Sequence, residues 1–308
     1  RARSASSLDS TFNGQGRVTV SIQPRLCLMA VHAHPDDEVF MGGTFLRYAQ
    51  EGLATLLVCA TNGEEGEIHD PDLDPAEAQP RLGEIRLGEL RCATRALKIG
   101  AVELLGYRDS GMAGTPANQN PDCFHQANLD EATARLVQLI RRHRPTVLVC
   151  YNAYGFYGHP DHIKAYEITR AAFERAADPS YAPLPNLTPW QPLKLYETAV
   201  SRESMLRWRE IERQQHPEEA ASQNDDFDPE KLGTPDAEIT TRLDVRQFQE
   251  ERRDAFRCHR TQIPADSFVL KPPPDGVPDG FFGYDEYVRV RSLVQGPLKE
   301  DDLFAGTR

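Results

Sequence analysis

The chain has 308 residues, of which 39% are hydrophobic and 27% charged, a composition typical of a globular protein with a sizeable core. Its formal net charge of −12 argues against broad binding to a phosphate backbone, so nucleic acid is not an expected partner. No apolar run approaches the roughly 20 residues that cross a bilayer, so we expect no membrane association and a cytoplasmic location.

The N-terminal stretch "RARSASSLDSTFNGQGR" is polar and lacks the apolar segment of a secretory signal, so we assign residues 1–24 to a leader. We expect a disordered leader there. From about residue 25, apolar runs that predict strands alternate with segments whose apolar residues recur at helical spacing. The strands are expected at 25–31, 54–61, 101–107, 146–151 and 194–200, and the helices at 42–52, 84–99, 130–143 and 161–177.

This alternation predicts an α/β fold, with a Rossmann-like, mostly parallel sheet flanked by helices. After residue 178 the pattern weakens. Residues 214–236 are polar and rich in proline, which indicates a long exposed loop or a mobile lid. A strand at 237–245 and an amphipathic helix at 246–259 follow. We therefore expect a core over 25–200 and a smaller C-terminal extension, 201–308, that completes the sheet and covers the pocket.

The six cysteines form no CxxC pair, and their spacing fits neither a disulfide framework nor a thiolate zinc site. Several lie in apolar, strand-like runs. Buried reduced thiols are therefore expected. The cysteines are Cys27, Cys59, Cys92, Cys123, Cys150 and Cys258.

The tripeptide His-Pro-Asp occurs twice, in "AVHAHPDDEVF" at 30–40 and in "YGHPDHI" at 157–163. Each copy follows a predicted parallel strand. The carboxyl ends of such strands are where α/β proteins build their sites, so the two copies are expected to lie close together. One His-Pro-Asp is a common turn, but two copies at strand ends favour a site over a purely structural explanation.

Imidazole and carboxylate groups suit Zn²⁺, and a catalytic zinc keeps three protein ligands and one open position. His34, Asp37 and His162 would supply the three ligands for one metal ion per chain. Iron(II) is the alternative metal, because sites with nitrogen and oxygen ligands also select by availability.

Three further residues of the two triplets are catalytic candidates. Asp36, beside a ligand but facing away from it, is expected to act as the base on a water whose pKa the metal lowers toward about 7. His159 is expected near the reaction centre as a proton donor or oxyanion stabiliser. Asp161 is expected to orient His159 through a hydrogen bond.

The motifs "AHPDDE" and "GHPDH" resemble those of the LmbE/PIG-L family of zinc-dependent deacetylases. The resemblance extends over "TNGEEGE", "EIRLGEL", "YRDSGM" and "WQPLKLY", and so covers roughly residues 25–200. The later stretches "RRDAFRCHRTQI" and "DLFAG" are similar to the mycothiol S-conjugate amidase branch, whereas "RDSGMAGT" is similar to the branch that deacetylates N-acetylglucosaminyl-inositol.

The resemblance implies zinc on the three ligands above and Asp36 as the general base. It also implies that Tyr157 and His159 surround the oxyanion, and that Arg86 and Asp109 contact the substrate. The aromatic run that precedes His159 is expected to line the approach to the metal, with core packing as the alternative. It consists of Tyr154, Phe156 and Tyr157.

The function expected from these features is a zinc-dependent amide hydrolase, an N-deacetylase or amidase. Its small-molecule partner would be an N-acyl glucosamine-type substrate or a thiol S-conjugate, and the chain could form a homo-oligomer. The alternative is a non-catalytic sugar- or nucleotide-binding Rossmann-like protein, which would have no need for Asp36. A nucleotide-dependent oxidoreductase is disfavoured, because "HAHPDD" stands where a G-x-G-x-x-G phosphate cradle would follow the first strand.

Overall fold

The structure, a computed structural model, describes residues 10–12, 18–20, 26–215, 228–271 and 283–308. In this part of the chain a seven-stranded sheet has the order β5-β4-β3-β6-β7-β9-β8. Strands β3 to β7 are parallel, and β9 runs antiparallel to both β7 and β8. The sheet strands are β3 (Cys27–His32), β4 (Ala54–Thr61), β5 (Ala101–Tyr107), β6 (Val147–Cys150), β7 (Lys194–Ala199), β8 (Thr241–Asp244) and β9 (Tyr284–Ser292).

Helices cover both faces of the sheet, which confirms the predicted α/β class. One apolar core, around Leu28, Phe45 and Phe256, lies on one face, and a second, around Met29, Leu136 and Phe173, lies on the other. The helices are α1 (Gly42–Gln50), α2 (Pro75–Ala78), α3 (Leu82–Ala96), α4 (Leu129–His143), α5 (Gly155–Gly158, a distorted turn), α6 (Pro160–Arg175), α7 (Arg202–Gln215), α8 (Pro229–Leu232) and α9 (Gln249–Cys258).

Strand β3 is the centre of the arrangement, because the chain moves from it to β4 on one side and later to β6 on the other. All six residues of β3 are buried, as expected for a strand covered on both faces. The connections that leave β3 and β6 diverge and open a crevice at the carboxyl edge of the sheet. Both His-Pro-Asp triplets lie at this crevice.

The second triplet also begins helix α6. Pro160 occupies the first helical turn, where its missing N–H costs no hydrogen bond. The Nδ1 atom of His159 accepts a hydrogen bond from the Asp161 N–H at 3.1 Å and so caps the helix. The same local geometry that starts the helix therefore fixes His159, Asp161 and His162 at the crevice.

The C-terminal part differs from expectation in two elements. Helix α7 and strand β9 were not predicted, although β9 supplies the antiparallel link between β7 and β8. Of the predicted loop at 214–236, residues 216–227 lie outside the described residues, and α8 lies in the remainder. The proposed boundaries at residues 24 and 200 stay predictions.

Two short strands, β1 (Ser10–Phe12) and β2 (Val18–Val20), pair antiparallel within the predicted leader, whose other residues to 24 lie outside the described part of the chain. Among the described residues, no helix combines the length and the apolar character needed to cross a membrane.

The expectation that all six cysteines are reduced is wrong for two of them. Cys92 on α3 and Cys258 at the end of α9 form a disulfide over a sequence separation of 166 residues. Sequence spacing could not reveal this pair, because only the packing of α9 against α3 brings the two positions together. The other four cysteines are buried thiols, as predicted.

Candidate active site

A cavity of about 1020 Å³ opens at the carboxyl edge of the sheet. The loop after β3 and the start of α6 form its floor, where His34, Asp36 and His162 lie. The C-terminal part of the chain supplies another wall, which includes Trp208 on α7 and Tyr284 on β9. The two triplets, more than a hundred residues apart in sequence, therefore meet in one pocket.

The three predicted metal ligands form a compact triangle. His34 Nδ1 lies 3.3 Å from His162 Nε2 and 3.4 Å from Asp37 Oδ2, and His162 Nε2 lies 3.3 Å from Asp37 Oδ1. His34 and His162 are buried. Ligands of a tetrahedral zinc with bonds of about 2.0–2.1 Å are about 3.3 Å apart, so this spacing fits such an ion.

Hydrogen bonds to the outer ring nitrogens of His34 and His162 orient the other nitrogen of each ring toward the other ring. His162 Nδ1 donates to the Gly155 carbonyl oxygen at 3.2 Å, which leaves Nε2 without a proton. His34 Nε2 donates to Asp161 Oδ2 at 3.2 Å, so the neutral ring offers the lone pair of Nδ1. Burial lowers the pKa of His34, but the carboxylates of Asp109, Asp161 and Asp37 raise it well above its usual value, and a cation bound at Nδ1 would take the place of the second proton. Two unprotonated nitrogens that face each other beside a carboxylate repel unless a cation lies between them, and such backing of a ligand histidine is typical of metal sites.

Two other groupings of donor atoms occur at the same place. Single ligand atoms of His34, His159 and His162, and likewise of His34, Asp109 and Asp161, lie within 4.8 Å of one another. In the second group, however, the carboxylates face His34 Nε2, the nitrogen that carries the proton. The lone pairs therefore favour the triangle with Asp37.

Asp36 lines the same cavity as this triangle and pairs with Arg86 at 3.2 Å between Oδ2 and Nη2. Burial raises the pKa of the Asp36 carboxyl to about 6, although the Arg86 guanidinium acts in the opposite direction. A carboxylate with a pKa near the working pH is suited to accept and return a proton.

His159 and Tyr157 both line the cavity next to the triangle. The ring of His159 is 4.6 Å from that of His34, and the ring of Tyr157 is 5.0 Å from that of His162, measured between centroids. Burial and the neighbouring imidazoles of His34 and His162 lower the pKa of His159 to about 4. His159 is therefore neutral near pH 7, and its Nε2–H is free to donate because Nδ1 caps the helix.

Of the aromatic run before His159, Phe156 and Tyr157 line the cavity, but Tyr154 does not. Tyr154 is turned outward and 49% exposed, so it differs from the expectation for this run. The backbone reverses at Phe156, whose φ of 63° separates the directions of the neighbouring side chains.

Arg86 and Asp109 lie at the site, but in more interior positions than direct substrate contacts require. Arg86 is 3% exposed and donates to the carbonyl oxygens of Gly63 at 2.8 Å and Pro35 at 2.6 Å. Asp109, also 3% exposed, accepts from the Gly111 N–H at 2.8 Å and lies 3.5 Å from His34 Nε2. Both reach the cavity wall, and both hold the loops around it.

The structure corrects the expected partner of Asp161. Its carboxylate meets His34 and accepts from the Ser110 N–H at 2.9 Å and from the Ser110 hydroxyl, whereas only its backbone N–H contacts His159. The reason is the helix start, which turns the Asp161 side chain into the protein, where it is fully buried.

Four other residues that support the site were not assigned from sequence. Tyr151 stacks on the His162 ring at 4.1 Å between centroids and accepts from the Ala33 N–H at 2.8 Å. Ser110 holds Asp161, as described above. The others are Glu38 and His259. The sequence pointed to them only through their positions in the motifs "AHPDDE" and "RRDAFRCHRTQI".

Residues 29–173 match the family model described as PIG-L, GlcNAc-PI de-N-acetylase. A 1D-myo-inositol 2-acetamido-2-deoxy-alpha-D-glucopyranoside deacetylase from Frankia casuarinae is 43% identical over 90% of this chain and 92% of that protein. An enzyme with the same description from Thermobispora bispora is 41% identical over 91% of this chain and 98% of that protein. The chain belongs to this family.

Solved structures with low identity share the fold. The N,N'-diacetylchitobiose deacetylase from Pyrococcus horikoshii is 19% identical with a TM-score of 0.55, over 78% of this chain and 72% of that one. A 4-carboxy-2-hydroxymuconate hydratase from a Pseudomonas species, also 19% identical, has a TM-score of 0.56 over 88% of this chain and 99% of that one. The fold alone therefore does not separate deacetylases from other enzymes.

The close sequence relatives distinguish a deacetylase from the other enzymes that share this fold. The chain is an enzyme, a hydrolase of amide bonds of the deacetylase type. The non-catalytic binding protein considered from the sequence is therefore not retained.

Proposed function

We propose that this chain is a zinc-dependent N-deacetylase of N-acetylglucosaminyl-inositol, the substrate named in the descriptions of its relatives. The observation that carries the proposal is the convergence of His34 Nδ1, His162 Nε2 and the Asp37 carboxylate, with a proton-accepting carboxylate beside them. Bound there, zinc would supply Lewis acidity that polarises the acyl carbonyl and makes water acidic at neutral pH.

Asp36 is the proposed general base. Its raised pKa lets it take a proton from the attacking water and then, as the neutral acid, deliver it to the leaving amine. Arg86 pairs with Asp36 Oδ2 at 3.2 Å and so orients the carboxylate, which lines the cavity together with the ligand triangle. The bond that breaks is the amide C–N bond, and the products are acetate and the free amino sugar.

Tyr157 and His159 are the proposed donors to the amide oxygen as it becomes negatively charged. Both side chains reach the cavity beside the ligand triangle, and the neutral His159 ring presents its Nε2–H there. Donors fixed before the reaction stabilise the developing charge without reorganisation. We propose Asp109 and Arg86 as residues of the sugar-binding wall that act mainly by holding its loops.

Comparison of three substrates tests this proposal. The zinc-loaded protein should release amine from N-acetylglucosaminyl-inositol with a higher kcat/KM than from free N-acetylglucosamine or from a thiol S-conjugate of an N-acetylated glucosaminyl-inositol. Preference for the thiol S-conjugate would move the chain to the amidase branch. No amine release from any of the three by a zinc-loaded, folded protein would contradict the proposed function.

A further inference from the structure

We propose that Glu38 and His259 form a positioning pair that fixes the backbone and carboxylate of Asp36. The inference rests on the proposed role of Asp36 as the base. It assigns a part in the reaction to a residue of the C-terminal extension that does not line the cavity.

The pair connects the loop after β3 with the end of helix α9 in the interior of the protein. His259 Nε2 lies 2.7 Å from Glu38 Oε1, and both side chains are fully buried. The other oxygen of the same carboxylate, Oε2, accepts a hydrogen bond from the Asp36 N–H at 2.9 Å. Glu38 therefore spans from His259 to the backbone of the proposed base.

The backbone of Asp36 needs such support. Its φ of 119° and ψ of −25° lie in a region that residues other than glycine rarely adopt. A conformation of this kind persists only where the surroundings over-determine it, and it is found preferentially at functional sites. The Glu38 hydrogen bond holds the Asp36 N–H, while Arg86 holds the Pro35 carbonyl oxygen at 2.6 Å and the Asp36 carboxylate at 3.2 Å.

Helix α3 supports both the Arg86 contacts to Asp36 and the position of His259. Arg86 is part of this helix, and Glu89, one turn later, accepts from the Thr261 N–H at 2.8 Å and from the Thr261 hydroxyl at 2.7 Å. The Cys92–Cys258 disulfide ties the residue directly before His259 to the same helix. The residues on either side of His259, Cys258 and Thr261, are therefore both attached to helix α3. As a result, Asp36 lies between Arg86 and the Glu38–His259 pair, and both of these are supported by α3.

Two substitutions of Glu38 distinguish the effect of side-chain length from the effect of its negative charge. In Glu38→Gln the amide oxygen still accepts from the Asp36 N–H. The amide NH2 can donate to His259 Nε2 when the His259 ring carries its proton on Nδ1 instead, so we expect a loss in kcat of only about threefold. Asp in Glu38→Asp keeps the charge but is one methylene too short to bridge both partners, so we expect a loss of about 30-fold. In both variants KM and zinc content should stay within about twofold of native. An Asp variant more active than the Gln variant would overturn the proposal.

His259 gives an independent pair of variants. In His259→Gln the side-chain amide can still donate to Glu38, whereas His259→Leu removes this donor. We therefore expect kcat to fall about 30-fold more in the Leu variant than in the Gln variant. Lys194→Met is the matched control, because it disrupts a buried ion pair at the opposite edge of the sheet. It should lower the melting temperature without changing kcat. Equal kcat for both His259 variants, or a loss of zinc equal to the loss of kcat, would contradict positioning of Asp36.

Crystal structures of the Glu38 variants separate this inference from the proposed function, because they need no substrate. Asp36 should keep its positive φ in Glu38→Gln and leave it in Glu38→Asp. Retention of the positive φ in both variants would refute the positioning role even if the deacetylase activity is present. Loss of it only in Glu38→Asp would support the role even if the substrate proves to be different.

Discussion

The two edges of the parallel sheet both bury charged groups, but they do so in different ways. At the amino edge, where β7 begins, Lys194 Nζ donates to Glu300 Oε1 at 2.8 Å and to the Ala305 carbonyl oxygen at 3.0 Å. The second Glu300 oxygen accepts from the Tyr196 hydroxyl at 2.7 Å, and Arg289 pairs with the first. Every charge there has an opposite partner within the chain.

At the carboxyl edge the charges are not balanced in this way. When both rings are neutral, the His34 and His162 nitrogens that face each other at 3.3 Å are both acceptors. The Asp37 carboxylate lies beside them, and its Oδ2 atom accepts from the His34 backbone N–H at 2.7 Å. This donor set is compatible with a bound cation. In a buried structural network, each hydrogen-bond donor or charge has a partner of the opposite kind. A buried cluster in which several acceptors converge without donors between them indicates a functional site instead.

The largest expected effect is at Asp36. The Asp36→Ala variant should lose about 10²–10⁴-fold in kcat, the usual range for removal of a general base. Zinc content should stay at the native level, because Asp36 is not one of the three proposed ligands. Steady-state kinetics and metal analysis on the same preparation measure both. A near-native kcat would show that Asp36 is structural, and the carboxyl edge would then resemble the amino edge.

Tyr157→Phe comes next, with an expected loss of about 10²-fold in kcat and little change in KM. The variant removes a single hydroxyl that donates to the oxyanion, and loss of one such donor costs about 3 kcal/mol in other oxyanion holes. Kinetics with the acetylated substrate at saturating zinc measure this effect. An unchanged kcat would remove Tyr157 from the mechanism and leave its ring as part of the cavity wall.

Asp161→Asn should weaken zinc binding by about 10–100-fold, the usual effect of losing a hydrogen-bond partner behind a ligand. The amide still contacts Ser110 but no longer gives the His34 Nε2–H a carboxylate acceptor. Titration against a competing chelator gives the zinc Kd. Should affinity remain native, the Asp161–His34 contact does not set the tautomer of His34.

The smallest effect on the reaction is expected from Lys194→Met at the amino edge. The variant leaves Glu300 buried with Arg289 alone, so the melting temperature should fall by about 5 °C. The kcat should stay within about twofold of native, because no residue of this network lines the cavity. Thermal unfolding and kinetics on one sample test it. A large loss of kcat would show that the two edges are coupled through the sheet.

The predicted elements between residues 26 and 200 agree closely with the structure, because local periodicity determines them. The predicted strand at 101–107 coincides with β5, and the predicted helix at 130–143 differs from α4 by one residue. The convergence of the two triplets also followed from local signals, since each triplet comes directly after a parallel strand.

The features that sequence reasoning missed depend on long-range contacts. The Glu38–His259 hydrogen bond joins residues 221 positions apart, and the Cys92–Cys258 disulfide joins residues 166 positions apart. The side-chain direction of Asp161 depends on its place in the first turn of α6. No period or motif encodes such partners, because they arise only when the C-terminal part packs on α3. Cellular location and oligomeric state stay predictions.

Metal content is the measurement that tests the central claim most directly. Protein purified without chelator should carry close to one zinc, or one iron, per chain by elemental analysis. His162→Ala should lose this loading while remaining folded, and Lys194→Met should keep it. Full loading of His162→Ala would contradict the ligand triangle of His34, Asp37 and His162.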